Sequence, residues 1–417
     1  MKKTYLIIAG IMLATAAVLS SYFIAPANST SNNKITEDKN LQSLFVDQTS
    51  DASYFLEPQS YSQIPDSTVT IHPATGGSTA TKIAILIPQT HRYPGSNISD
   101  SVNDSAVIAQ GQIYKIISYL EKAGANTVMA EGDLEGKIPD DKIKNLSQKI
   151  TLKEELKAEV QKIKGSDQGE ITPQFYTAVE NLISSIDREI LLAGAPYKLK
   201  AEGYNINLYG TEDQKLLDNS AEIVRNTIYL QDRLSALQGV NTVGFSLSKT
   251  SLVNPENNST LKDKLLELLQ NRSLVANTSD IDNELKMNKI NAANNSDLNA
   301  LLDQAQNTYN EIKELDKPQT TNSSAPSRQQ NPYNNINDVG TIQNLIKDNN
   351  DKLQETVVDQ RNQSTAEKFV QLLSAQNKDV AIITFGSEHQ EGLIQELNKR
   401  GISVVDILPN EVGQKTQ

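Results

Sequence analysis

Two widely separated stretches of the chain follow one plan: a buried strand, a turn bearing histidine, a helix stopped at glycine, and a second strand. In the first, the β-branched run 83–87 leads through Pro88, Gln89 and Thr90 to His91. Val107, Ile113, Ile116, Ile117 and Leu120 then recur at helical spacing, Gly124 stops the helix, and strand 126–130 ends at Glu131 and Gly132. In the second, strand 380–384 leads through Gly386 to His389, and a helix stopped at Gly401 leads to strand 402–408. Continuous apolar runs of this kind mark strands buried on both faces, as in a parallel sheet with helices on each side. The pattern predicts an α/β fold with a mostly parallel central sheet, flanking helices and large helical insertions.

Histidine occurs only three times in 417 residues, and two of the three stand just past the carboxyl end of such a strand. Open α/β sheets hold their ligands at that edge. His91, Glu131 and His389 are therefore the candidates for one shared site, with Asp133, Glu388 and Glu391 close to them in sequence. Two imidazoles and a carboxylate with open positions suit a hydrolytic divalent metal of manganese, cobalt or zinc type. The metal would be held by His91, Glu131 and His389, and a second carboxylate, Glu388, would serve as base. The bland reading of each histidine is a hydrogen-bonded structural residue. His72, in a Thr/Pro/Gly-rich context, reads as an exposed loop residue.

Composition narrows the chemistry. The chain has no cysteine, which removes disulfides, thiolate metal sites, cysteine nucleophiles and a lipid-bearing cysteine. Its formal charge is −12, with no basic patch or aromatic–basic interleaving, which argues against nucleic acid. A Gly-x-Ser-x-Gly elbow, a phosphate-binding loop and a His-Glu-x-x-His helix are all missing.

The organisation follows from the same cues. Lys2 and Lys3 precede an apolar run, 5–24, and Ala25, Pro26 and Ala27 offer a cleavage point, so residues 1–27 read as an export signal or an uncleaved anchor. The rest is then periplasmic or extracellular, touching the membrane only through residues 5–24. Residues 28–80 read as a polar linker. Residues 81–250 form the first part of the α/β domain, with a helical insertion at 137–192, a strand at 204–209 and a helix running to about Leu237. Glu212 and Asp213 read as carboxylates of that helix's first turn, there to cap it. Residues 251–350 read as a polar helical insertion with an Asn/Pro-rich linker at 318–338. Residues 351–410 complete the α/β domain, and the tail past Pro409 reads as frayed.

At these residues the chain resembles the TraB/GumN-like group and its ChaN-like and erythromycin-esterase-like relatives. Gln360, Arg361 and Asn362, the strand 380–384, Gly386 to His389, and Gly392 with Leu393 look like that group's Arg-Asn and Gly-x-x-His elements. Gln89 to His91, Gln112 with Ile113, and Ala130 to Gly132 look like its opening His and Glu elements. Gly194, Ala195, Leu199 and the stretch 209–213 look like a middle section of some members. The resemblance implies an α/β core and a possible divalent-metal hydrolase acting on a peptide or a small ester or amide. His91 and His389 would be metal or proton-transfer residues, Glu131 a ligand or base, and Arg361 the binder of an anionic group or oxyanion; the bland reading of Arg361 is a salt bridge to a nearby carboxylate. Some relatives bind haem, which makes a haem or metal carrier the lesser alternative; a non-catalytic envelope protein that binds a partner is the other. One departure stands out: Pro88 replaces the glycine usual three residues before that histidine.

Overall fold

A computed structural model describes residues 52–75, 82–92, 101–166, 169–238, 278–292, 294–315, 333 and 336–414. The proposed signal, the leucine-patterned stretch 261–269 and most of 318–338 lie outside them. Among the described residues no helix is long and apolar enough to cross a membrane.

The centre is a seven-stranded mixed sheet. Its strands are β1 (Ser67–His72), β2 (Ile83–Gln89), β3 (Thr127–Leu134), β4 (Gly136–Lys137), β5 (Asn207–Glu212), β6 (Val380–Gly386) and β7 (Ser403–Pro409). Their order is β1-β7-β2-β6-β3-β5-β4. The five central strands are parallel, and the edge strands β1 and β4 are antiparallel to their neighbours. The expected α/β fold is observed. Alternation along β2 explains why both faces are apolar: Ile83, Ile85 and Ile87 enter one core and Ala84 and Leu86 the other.

Helix α1 (Asp104–Lys122) covers the first face and packs Ile113, Ile116, Ile117 and Leu120 into it. After two insertion helices, α2 (Lys144–Ser166) and α3 (Pro173–Leu192), comes the short α4 (Ala195–Ala201) on that same face. Then follow α5 (Gln214–Gln238), α6 (Thr278–Asn291), α7 (Ser296–Leu315), α8 (Val339–Leu353), α9 (Gln360–Ala375), α10 (Gln390–Lys399) and α11 (Asn410–Gly413). Helices α9 and α10 cover the second face through Phe369, Leu373, Leu393 and Leu397. The two glycine stops form the same cap: Gly124 and Gly401 have φ of +98° and +74°. In each, the next residue donates back five positions, Ala125 to Leu120 at 2.9 Å and Ile402 to Leu397 at 3.1 Å.

The insertions build one body rather than two. Helices α2 and α3 share a core with α6 and α7, in which Phe175, Ile186, Leu302 and Tyr309 are buried. Helix α8 runs through a π-helical segment, Gln354–Asp359, directly into α9. Such wide turns recur beside functional positions, and this one immediately precedes Arg361 and Asn362.

Four expectations need correction. Residues 52–75 are not linker: Phe55, Tyr61 and Ile64 are buried in the core, and β1 pairs with β7. The scattered aromatics were core residues, and Val69 and Ile71 alternate inward as an edge strand requires. His72 accordingly ends a strand and is half-buried. The third parallel strand begins later than its alternation implied and runs to Glu212. The tail past Pro409 is α11, held by Val412 in the core and by the Asn410 N–H on the Asp66 carbonyl.

Pro88 lies inside a central strand at no cost in hydrogen bonds. Ile83 donates toward β6, to Asp379, whereas the Lys82 carbonyl accepts from Ser403 of β7. Odd-numbered N–H groups of β2 therefore face β6 and even-numbered ones face β7. Pairing with β7 ends at Leu86 opposite Asp406, so position 88 has no ladder partner to supply.

Candidate active site

The strands β2, β6, β3 and β5 are neighbours, and each ends in a polar residue at the same edge: His91, His389, Glu131 and Glu212. Parallel strands present their carboxyl ends together, which is how residues so distant in sequence meet. Helix α9 adds Arg361 and Asn362 from one face, and α1 adds Gln110 from the other.

Glu131 is the hub. Its Oε2 lies 2.8 Å from His91 Nε2 and accepts from the Gly386 N–H at 2.7 Å and from Gln89 Nε2 at 3.4 Å. Its Oε1 accepts from Arg361 Nη2 at 2.7 Å. Burial disfavours the charged carboxyl, but His91 and Arg361 outweigh it and hold Glu131 well below the usual carboxylate range. Glu131 is therefore an anion whose side chain is wholly enclosed, while the His91 side chain keeps 15% of its surface exposed.

Arg361 is buried, and each of its three guanidinium nitrogens has a partner. Nη2 reaches Glu212 Oε1 at 2.6 Å as well as Glu131, Nε reaches Glu212 Oε2 at 3.1 Å, and Nη1 faces His389 Nε2 at 3.3 Å. Of the two readings of this arginine, an anionic ligand or a salt bridge to a nearby carboxylate, the second is observed: its donors point at the protein's own carboxylates and imidazole. It anchors Glu131 rather than facing substrate.

His389 is neutral for two reasons. Burial and then the neighbouring Arg361 charge push its pKa down to about 3. Arginine can only donate, so Nε2 accepts from Nη1, and Nδ1 carries the proton donated to Asn362 Oδ1 at 2.9 Å. Phe385 meets the ring edge-on at 4.6 Å between centroids. Two glycines make room. A Cβ on Gly386 would stand 3.2 Å from His91 Nε2, 3.3 Å from Glu131 Oε2 and 3.6 Å from His389 Cδ2. One on Gly392 would stand 2.3 Å from Asn362 Nδ2, so α10 has no room there for a larger residue.

The structure thus brings His91, Glu131, Arg361 and His389 together and leaves out Glu388. Glu388 shares a 3-10 turn with His389, yet His389 points into the core and Glu388 is exposed. Glu391 is likewise exposed. Asp133 is buried but turned elsewhere, accepting from Tyr197 at 2.8 Å and from Lys142 at 2.5 Å. The second carboxylate of the cluster is Glu212, read from the sequence as a helix cap. Its signal was the likeness of Tyr209-Gly210-Thr211-Glu212 to Met129-Ala130-Glu131, in both of which a strand runs abruptly into glutamate.

The donor set does not fit one divalent ion shared by His91, Glu131 and His389. The Arg361 guanidinium stands between Glu131 and His389 and takes up the lone pairs that such an ion would need. Among the described residues no group of three or more His, Asp or Glu has an arrangement that would hold a metal. What remains is a buried carboxylate, fixed by donors, under a partly exposed imidazole: the makings of a general base. Compared with protein-family models, curated proteins and solved structures, the chain matches none.

Proposed function

We propose that this protein is an exported hydrolase of peptide or small ester and amide bonds, with His91 as general base and Glu131 as its buried partner. The observation that carries the reading is the 2.8 Å contact between His91 Nε2 and Glu131 Oε2. Because Glu131 is ionised and accepts from every other neighbour, the proton in that contact belongs to Nε2. His91 then keeps its lone pair on Nδ1. In the reaction, Nδ1 takes a proton from water as the water oxygen attacks the acyl carbon. The same proton passes to the departing alcohol or amine as the acyl bond breaks. Glu131 holds the tautomer and stabilises the imidazolium formed in between, the division of labour of a histidine over a buried carboxylate. The resemblance to the TraB/GumN-like, ChaN-like and erythromycin-esterase-like group supports the reading, since the residues that look like its His, Glu, Arg-Asn and Gly-x-x-His elements are His91, Glu131, Arg361 with Asn362, and Gly386 to His389. Export rests on Lys2, Lys3 and the apolar run 5–24.

The test is hydrolysis of p-nitrophenyl esters and aminoacyl p-nitroanilides by the full chain and by His91→Ala, with and without EDTA. The expected result is turnover that survives the chelator and disappears in His91→Ala. Turnover unaffected by the substitution removes His91 as base, and loss in EDTA returns the metal-dependent reading.

A second reading, a non-catalytic binding protein of the envelope, is supported by the helical body of α2, α3, α6 and α7, whose core is separate from that of the sheet. It predicts binding that His91→Ala leaves intact, and no turnover.

A further inference from the structure

Two buried glutamines connect the catalytic pair to the far side of the sheet. Gln110 of α1 and Gln89 at the end of β2 are 4% and 6% exposed, so their amides depend on partners inside the fold. The chain of contacts starts at a donor of fixed identity, the backbone N–H of Ala195. It donates to Gln110 Oε1 at 2.8 Å. Gln110 must then present its Nε2 to Gln89 Oε1, 3.2 Å away. Gln89 must in turn present its own Nε2 to Glu131 Oε2, at 3.4 Å. Each amide has one orientation that satisfies both of its neighbours, and the backbone N–H selects it.

We infer that Gln110 is a positioning residue for the proposed reaction: through Gln89 it fixes a donor on Glu131 Oε2 and thereby the placement of the oxygen that holds His91. The relay begins where the helical body ends, since α3 closes at Leu192 and Ala195 opens α4. Gln110 is buried and hydrogen-bonds to Ala195 and Gln89 rather than to His91 or Glu131; it acts only through the polarity of the hydrogen bonds it passes on. This rests on the hydrolase reading for its consequence in turnover, but not for the polarity itself.

The experiment reverses the polarity. In Gln110→Glu the new carboxylate still accepts from Ala195, but its second oxygen faces Gln89 Oε1 with no proton between them. Gln89 turns over, and its oxygen then confronts Glu131 Oε2. A donor exchanged for a repelling acceptor on a charged group is worth about tenfold or more. The expected result is a fall of that size in kcat with KM changed less than about twofold, together with a shift of the His91 ring N–H proton resonance, which reports its contact with Glu131. Adding Gln89→Met removes the residue that transmits the reversal, so Gln89→Met/Gln110→Glu returns to the level of Gln89→Met alone. A merely structural role for Gln110 predicts no such rescue, and its absence overturns the inference.

Should Gln110→Glu not fold, Gln110→Met decides. Without its far anchor the Gln89 side-chain amide loses at least about tenfold of its protection against hydrogen exchange, and unchanged protection overturns the relay. The ring-proton and exchange readouts need no substrate. A chain that shows them without hydrolysing anything keeps the relay and loses the hydrolase.

Discussion

Arg361 grips Glu212 at two points, Nη2 to Oε1 at 2.6 Å and Nε to Oε2 at 3.1 Å, and with the same Nη2 it holds Glu131 at 2.7 Å. One cation thus serves two buried anions. Glu212 fixes the guanidinium with planar, bidentate geometry, so that Nη2 is already aimed when Glu131 needs it. The surplus negative charge lies beside His91, where a positive charge forms during the proposed proton transfer.

Removing the cation leaves both carboxylates enclosed and unpaired. Arg361→Met should lose about 3–5 kcal/mol of stability in urea or guanidinium titrations. Arg361→Met/Glu212→Gln should recover part of that loss, since one of the two unpaired anions is gone. A loss of the same size in the double variant would show that packing, not charge, is at stake.

Neutralising the hub should uncouple activity from stability. Glu131→Gln places an amide where His91 needs an acceptor of its proton, and the ring is free to adopt the wrong tautomer. Hydrolysis should fall by about 10²–10⁴ in kcat with a modest change in KM. Steady-state kinetics on an ester substrate checks this; a residual rate within twofold of the original removes Glu131 from the mechanism.

Acid should weaken the fold through His389. Its folded pKa, about 3, lies below the ~6.5 of an unfolded histidine. The unfolded chain therefore binds a proton that the folded chain refuses, and stability falls as pH drops through the window between those values. The slope from this one group is about 1.4 kcal/mol per pH unit. His389→Gln lacks the slope, so the gap between the two proteins should narrow by about that amount per unit between pH 6 and pH 4. Glu131 acts lower down: its depressed carboxyl contributes stability above about pH 4.3, lost as pH falls through the folded value. A gap that stays constant with pH would mean that His389 is protonated in the fold.

The two site glycines should fail differently. Gly392→Ala drives a methyl to 2.3 Å from Asn362 Nδ2, so the amide must move and His389 loses its acceptor; about 1–3 kcal/mol of stability should go with it. Gly386→Ala meets His91 and Glu131 at 3.2 and 3.3 Å, a tighter approach than usual but a smaller overlap. Its cost should appear chiefly in kcat, by separating those two side chains. Thermal melts beside kinetics of both variants resolve the two effects.

Much of this arrangement could be read from residue order. The runs at 83–87 and 380–384 identified the strands of a parallel sheet because only doubly buried strands are so uniformly apolar. Gly124 and Gly401 marked helix ends because both adopt a positive φ. His91, Glu131 and His389 converged because carboxyl ends of parallel strands share an edge. What order did not reveal was orientation. Glu388 and His389 are consecutive, and which of them turns inward depends on the pitch of a 3-10 turn. For Arg361 the order of residues left a ligand and a nearby carboxylate as alternatives, and Glu212, whose strand runs further than the alternation at 204–209 implies, decides between them. β1 was hidden because a strand with one apolar face and a solvent edge looks, in composition, like the polar tract around it.

The sheet's most central catalytic strand is also nearly its last. β6 separates β2 from β3 and pairs with both, so until residues 380–386 arrive the early strands have no common neighbour. A chain still emerging from a ribosome holds His91 and Glu131 on strands that β6 has not yet joined. Assembly waits for long-range closure, which is slow, and the reactive pair comes into being only when the final βαβ unit docks. On the proposed reading the pair is inert until that unit docks, and a chain truncated ahead of residue 380 lacks both His389 and the strand that joins β2 to β3.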